Sequence, residues 1–335
     1  MVTALITGIG GQDGVYLAQH LRDRGVEVWG LTRSGSLPPE LSFVHATPSA
    51  DIRNQQELEG AIAAAKPDEI YHLAAQSSVM ASWDDRVGTG DITGLGTARL
   101  LEAVRRCAPS ARVFVASSSE VFGEPDRSPQ DETTPIRPAS PYGAAKAYSH
   151  HLAHMYRRRH GLFVAVGILY NHESPRRPAA FVTRKIARGA VAIARGEQKE
   201  LRLGNLEARR DWGYAGDYVR AMHLMLQQDE PSDYVIATGE AHTVRELCEL
   251  AFARVGLDYR DYVRSDPALW RPAEPVPLVG DIGKARAELG WSPSMSFRQL
   301  VNLLIDAELG WASSLPVPQL GDLLMDVVIS DERSG

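Results

Sequence analysis

Val2-Thr3-Ala4-Leu5-Ile6-Thr7-Gly8-Ile9-Gly10-Gly11-Gln12-Asp13-Gly14 opens the chain. Six β-prone residues, a glycine-rich turn and a helical pattern running on to about Arg24 form the strand, turn and helix that a dinucleotide site requires. The glycines at 8, 11 and 14 let backbone approach a pyrophosphate, and a helix N-terminus offers it free N–H groups and a positive dipole end. The expected fold is therefore α/β, a Rossmann doubly wound parallel sheet with a smaller C-terminal α/β substrate-binding domain. The first domain should span 1–165 with a return segment at about 215–239. The second should take 166–214 and 240–335.

Moving outward, the next strand, Val26 to Leu31, ends in Thr32-Arg33-Ser34. An acid here would bond the adenosine ribose, whereas an arginine suits a 2′-phosphate, so Arg33 points to NADP. Residues 36–50 read as a loop or short strand, and Asn54 to Ala65 as a helix. Glu69 to Gln76 is a buried strand running into small residues, with His72 packed in it. Thr93 to Arg106 is a helix with a broad apolar face. Arg112 to Ala116 is a strand whose carboxyl end delivers Ser117-Ser118-Ser119-Glu120, where sites lie in parallel sheets.

Ser140-Pro141-Tyr142-Gly143-Ala144-Ala145-Lys146 starts the helix on which the chemistry should sit. Ser140 caps it, proline suits its first turn, and Tyr142 and Lys146 share one face. An ammonium there is expected to lower the phenol pKa and make it an acid/base near neutrality. By itself a Tyr-x-x-x-Lys pair is common; the serine and glutamate cluster gives it meaning. The helix ends in three arginines, His160 and Gly161, which is dipole and cap chemistry rather than a ligand site. Strands follow at 162–170, about 201–203 and 234–238, with helices near 181–195, 216–227, 244–255 and 297–308. Arginine and lysine beyond the first domain suit a second phosphorylated ligand.

Composition narrows the classes. The chain has 335 residues, 44% hydrophobic, 23% charged, with net charge −6. That balance gives no basic surface for nucleic acid. No apolar run reaches the roughly 20 residues of a membrane span. Cys107 and Cys248 have no metal or disulfide spacing, and the chain enters its first strand without a leader, so a cytoplasmic enzyme with no metal is expected.

Taken together the motifs resemble one family, the GDP-mannose 4,6-dehydratases of the extended short-chain dehydrogenase/reductases. The generic part is Gly8 to Gly14, Ser117 to Glu120 and Tyr142 with Lys146. The specific part is Asn171-His172-Glu173-Ser174-Pro175-Arg176-Arg177, Phe181 to Ile186, Leu203 to Leu206, Arg210-Asp211-Trp212-Gly213 and Val235 to Glu240. The likeness runs to about residue 310 and leaves 311–335 without a counterpart.

The resemblance implies tightly held NADP and conversion of GDP-mannose to GDP-4-dehydro-6-deoxy-D-mannose. Carried over by position, Tyr142, Ser118, Glu120 and Lys146 are the catalytic set, with Glu120 the base at C5. Cofactor contacts fall on Gly8, Ile9, Gly10, Gly11, Gln12, Asp13, Arg33, Asp51, Ile52, Leu73, Ala74, Ala75, Gln76, Ser77, Lys146, His172 and Arg177. Substrate contacts fall on Asn171, Lys185, Arg210, Arg271 and Glu274. The chain departs from the pattern at Ser118 (usually threonine), Ser34 (usually arginine) and Gly10 (usually threonine). The stretch from Arg33 to Asp51 is also short. In the family that loop supports a tetramer, so a dimer is expected. A 4-ketosugar reductase or nucleotide-sugar 4-epimerase would need Tyr142 and Lys146 but not Glu120. A redox-sensing binding protein should have lost part of the set, and here none is lost.

Overall fold

The computed structural model describes residues 1–33, 36–269 and 276–310. The chain begins with β1 (Thr3–Thr7), α1 (Gln12–Arg22), β2 (Glu27–Leu31), β3 (His45–Ala46), α2 (Gln55–Ala65) and β4 (Glu69–His72). It continues with α3 (Val79–Asp84), α4 (Arg86–Thr89), α5 (Gly96–Cys107), β5 (Arg112–Ser118), α6 (Pro141–His160) and β6 (Val164–Leu169). After β7 (Asn171–Glu173), α7 (Val182–Ala194), β8 (Leu201–Leu203), β9 (Arg209–Arg210) and β10 (Trp212–Tyr214), the chain returns through α8 (Ala215–Leu226) and β11 (Asp233–Ile236). It ends in β12 (His242–Thr243), α9 (Val244–Arg254), α10 (Tyr259–Tyr262), β13 (Val263–Ser265), α11 (Gly283–Leu289) and α12 (Phe297–Leu309).

Seven strands form one sheet in the order β11-β6-β5-β4-β1-β2-β3. All its pairings are parallel, with Leu5 opposite Trp29 on one side and Ile70 on the other. Side chains alternate between two cores, as period-two geometry demands. Leu5, Ile70, Val113 and Val115 face a layer containing α2, α5 and α6. Ala4, Ile6, Phe114 and Ala116 face α1 and α8 in a core that continues into the C-terminal elements. There α7, α9 and α12 pack on one another. Three two-stranded pairs, β7 with β10, β8 with β13 and β9 with β12, complete the fold.

Differences from the expected elements are local. The helix expected from Thr93 begins as a π-turn over Gly90–Leu95 and becomes α-helical at Gly96. A Cβ at Gly96 would stand 2.8 Å from Ile52 Cγ1, so this turn lies tight against the end of the loop before α2. The 36–50 stretch is a short 3-10 turn, Pro39–Leu41, followed by the two residues of β3. Ser34, the turn with Arg271 and Glu274, and residues 311–335 lie outside the described residues. Among those described, no helix is long and apolar enough to cross a membrane.

Candidate active site

Three strand ends and one helix start build the site. At β1, Gly8 takes φ +73°, and a Cβ there would stand 2.9 Å from the Ala74 nitrogen. Both the conformation and the close approach require glycine. A Cβ at Gly14 would come within 2.5 Å of the Gly8 carbonyl, so α1 lies hard against the turn. Gly11 caps α1 without a side-chain hydrogen bond, leaving the first N–H groups of the helix available. Space opens above Gly10, where nothing lies within 4 Å of a Cβ position. This cradle of bare backbone and uncapped N–H groups fits a dinucleotide pyrophosphate.

At the end of β5, Ser118 caps a 3-10 turn and accepts the Glu120 N–H at 3.3 Å. Ser118 is buried and hydrogen-bonded to the Tyr142 phenol, and the Glu120 carboxylate lies close enough to act on that phenol electrostatically. α6 brings in the other partners. Tyr142 sits in its first turn, where every N–H needs an outside acceptor. The Tyr142 N–H bonds Ser82 Oγ at 3.2 Å and the Gly143 N–H bonds Ser140 Oγ at 3.0 Å. One turn later Lys146 is buried, with Nζ donating to the Ala116 carbonyl at 2.6 Å and standing 5.9 Å from the Tyr142 ring centre.

The electrostatics correct one expectation. Burial drives the Tyr142 phenol up to about 12, and the Ser118 hydrogen bond opposes this only in part. Burial outweighs every opposing charge near the phenol, and Lys146 is not among the groups that bring it down. Burial also pulls Lys146 down to about 8, against the opposing pull of the Asp13 carboxylate. The pair is therefore a desolvated phenol beside a desolvated amine, both poised to respond to any charge brought next to them.

Opposite the glycine turn, β7 supplies a second set. His172 Nε2 meets Asp13 Oδ2 at 2.9 Å, and Nδ1 donates to the Tyr170 carbonyl at 2.7 Å. Gln12 Nε2 donates to the His172 carbonyl at 3.1 Å and Gln12 Oε1 accepts from Ser174 at 2.8 Å. Buried Glu173 accepts from Thr183 at 2.5 Å and pairs with Arg177 at 3.3 Å. Sequence reasoning named Gln12, Asp13, His172 and Arg177, but missed Ser82, Glu173 and Thr183. Ser82 lies 60 residues from Tyr142 and leaves no local signal, whereas the four-residue spacing of Glu173 and Arg177 was there to be read.

His72 is packing: its ring lies between Thr7 Oγ1 at 2.9 Å and Thr97 Oγ1 at 3.0 Å, and burial takes its pKa to about 3.

The sequence profile of the GDP-mannose 4,6-dehydratase family matches residues 5–304. The chain belongs to the GDP-mannose 4,6-dehydratase family. GDP-mannose 4,6 dehydratase 2 of Arabidopsis thaliana is 46% identical over 320 residues, covering 90% of this chain and 86% of that one. The Homo sapiens GDP-mannose 4,6 dehydratase is 43% identical over 336 residues, covering 91% and 90%. In fold the chain is similar to a Thermus thermophilus UDP-glucose 4-epimerase complexed with NAD. That structure has a TM-score of 0.82 and 28% identity over 92% of this chain and 99% of that one. A dTDP-glucose 4,6-dehydratase from Streptomyces venezuelae with NAD bound gives a TM-score of 0.80 at 26% identity, covering 92% and 98%.

On this dehydratase-family scaffold the remaining expected residues fall on several elements. Arg33 is exposed past the end of β2. Asp51 pairs with Arg53 at 2.6 Å, which holds its carboxyl down at about 2 although burial opposes this. Ile52 is buried. Leu73 to Ser77 form the loop after β4, where the Gln76 N–H bonds Thr93 Oγ1 at 3.2 Å. Asn171 pairs in register with Trp212, which puts it beside the β9–β10 stretch carrying Arg210. Lys185 Nζ donates to the Arg202 carbonyl at 2.7 Å, away from the Tyr142 cluster.

Proposed function

We propose that the chain converts GDP-mannose to GDP-4-dehydro-6-deoxy-D-mannose with NADP as resident cofactor. One observation carries the reading within the dehydratase family: Ser118 and Glu120, delivered by β5, converge on Tyr142 at the start of α6.

The residues divide the work as follows. Tyr142 takes the proton of the sugar 4-hydroxyl, and the Ser118 hydroxyl hydrogen-bonds the same oxygen. The C4 ketone acidifies the C5 hydrogen, which the Glu120 carboxylate removes. The 6-hydroxyl departs with that proton as water. A proton returned to C5 from Tyr142 restores the phenolate. A nicotinamide cofactor whose pyrophosphate the glycine turn would hold would supply the hydride acceptor at C4 and the donor at C6, so that no net reductant is consumed. Lys146 stands beside the phenol and within reach of a cofactor ribose. Asn171, Lys185 and Arg210, with Arg271 and Glu274, are the proposed substrate contacts, the arginines taking the diphosphate.

Arg33 supports NADP over NAD, because a guanidinium rather than a carboxylate follows β2. The deciding experiment is incubation with GDP-mannose and no added cofactor, with mass spectrometry of the product. Loss of one water supports the reading. Unchanged substrate, with turnover of a 4-keto sugar on added NADPH, replaces it by a reductase.

A further inference from the structure

α6 carries more chemistry below Lys146. Tyr142, Lys146, His150 and His154 follow at four-residue spacing, so they descend one side of the helix. The lower two take no part in the dehydratase site. His150 is buried at 3% exposure, whereas the His154 side chain is 40% exposed. Both rings turn Nε2 toward Oδ2 of Asp233, the first residue of edge strand β11. His150 stands 3.3 Å from that oxygen and His154 is in hydrogen-bond contact with it.

Their ligand atoms lie within 4.8 Å of one another, the one such group among the described residues. Around a tetrahedral zinc with bonds of about 2.0–2.1 Å, neighbouring ligand atoms stand about 3.3 Å apart. An outer ring of contacts fixes the orientations, as metal-binding imidazoles and carboxylates require. His150 Nδ1 is 3.3 Å from Ser117 Oγ. Asp233 Oδ1 accepts Arg157 Nη2 at 2.8 Å, and Arg157 is itself anchored on the Val164 carbonyl at 2.9 and 2.6 Å. His154 is the member of the set that solvent reaches, its side chain 40% exposed where that of His150 is buried.

We infer that His150, His154 and Asp233 form a binding site for one divalent first-row metal ion, best matched by zinc, that clamps α6 to β11. Two imidazoles and a carboxylate suit zinc, cobalt or nickel rather than calcium or magnesium, which seek oxygen shells. Water completes the fourth position. The site is structural: His154 lies eight residues beyond Lys146, about 12 Å down the helix axis, out of reach of the reacting sugar. Arg157 repels the ion and moderates its affinity. The competing arrangement is an ion-pair cluster in which Arg157 and the imidazoles alone neutralise Asp233.

The test uses tag-free full-length protein stripped with chelator and titrated with cobalt(II) alone, read by the visible absorption of tetrahedral cobalt. Zinc is then added, and melting and metal content are measured. One equivalent of cobalt per chain is expected, displaced by zinc, with a rise in melting temperature. His154→Asn, at a half-exposed position that the fold tolerates, should weaken binding by at least about tenfold and abolish the rise. Ser117→Ala should weaken it less. Absence of a stoichiometric cobalt spectrum overturns the site in favour of the ion-pair cluster. Equal binding by His154→Asn overturns it by placing the ion elsewhere.

Discussion

His172 Nε2 lies 2.9 Å from Asp13 Oδ2, joining β7 to the first turn of α1 across 159 residues of chain. Burial disfavours charge on both groups, yet each outweighs that cost for the other. The His172 imidazole is held above its ordinary value and the Asp13 carboxyl below. The depressed carboxyl contributes stability above its unfolded value of about 4, lost as pH falls further through its folded value. The raised imidazole contributes below about 6.5, and this is lost as pH rises through its folded value. The pair is strongest between those limits. His172→Gln should therefore cost about 1.5–3 kcal/mol near pH 6. Thermal melting of both proteins at pH 6 and 9 checks this: the gap should narrow at the higher pH, and a constant gap refutes the linkage.

Glu120 is the carboxylate of the cluster that ends β5. Glu120→Gln should block water elimination while leaving oxidation at C4 open to Tyr142. Absorbance of reduced nicotinamide should grow on adding GDP-mannose, with no dehydrated product. Normal product from this variant removes Glu120 from the chemistry.

Tyr142→Phe keeps the packing of a buried ring and loses only the hydroxyl bonded to Ser118. Turnover should fall by about 10²–10⁴-fold with little change in melting temperature. A loss below tenfold would move the proton acceptor to another group.

Arg33 stands exposed at the end of β2, where an NADP 2′-phosphate would arrive. Arg33→Ala should weaken NADP by about 1.5–3 kcal/mol and NAD far less. Equal weakening, measured by titration of the two cofactors, would mean the guanidinium does not meet the phosphate.

The outer faces of the π-turn before α5 and of α6 expose Leu95 at 44%, Tyr148 at 45% and Met155 at 53%. A twofold pairing of these helices would cover them without help from the short 36–50 loop. Light scattering on eluted protein should give a dimer. A stable tetramer at low concentration sinks the loop argument, and a monomer sinks the helix pairing.

The parts legible in the sequence were those fixed by neighbours along the chain. Ser140 and Pro141 announce the start of α6, and Arg157 to Gly161 announce its end, because caps are local chemistry. The turn from Gly8 to Gly14 announces itself for the same reason. What stayed hidden was long-range. Nothing near Tyr142 reveals Ser82, and nothing near Asp13 reveals that His172 meets it. The Tyr142 shift runs opposite to the expectation because spacing shows that Lys146 is near but not how deeply the phenol is buried. The π-turn at Gly90 was hidden too, since its apolar pattern differs from an α-helix by one residue.

Tyr142 occupies the second position of α6, in the turn of a helix that unwinds first. Two serine hydroxyls, Ser140 and Ser82, hold that turn closed. Lys146 sits one turn deeper and would survive its opening. Heat inactivation is therefore expected ahead of melting, through fraying of this one helical turn, and a Ser82→Ala enzyme is expected to age into a folded but silent protein.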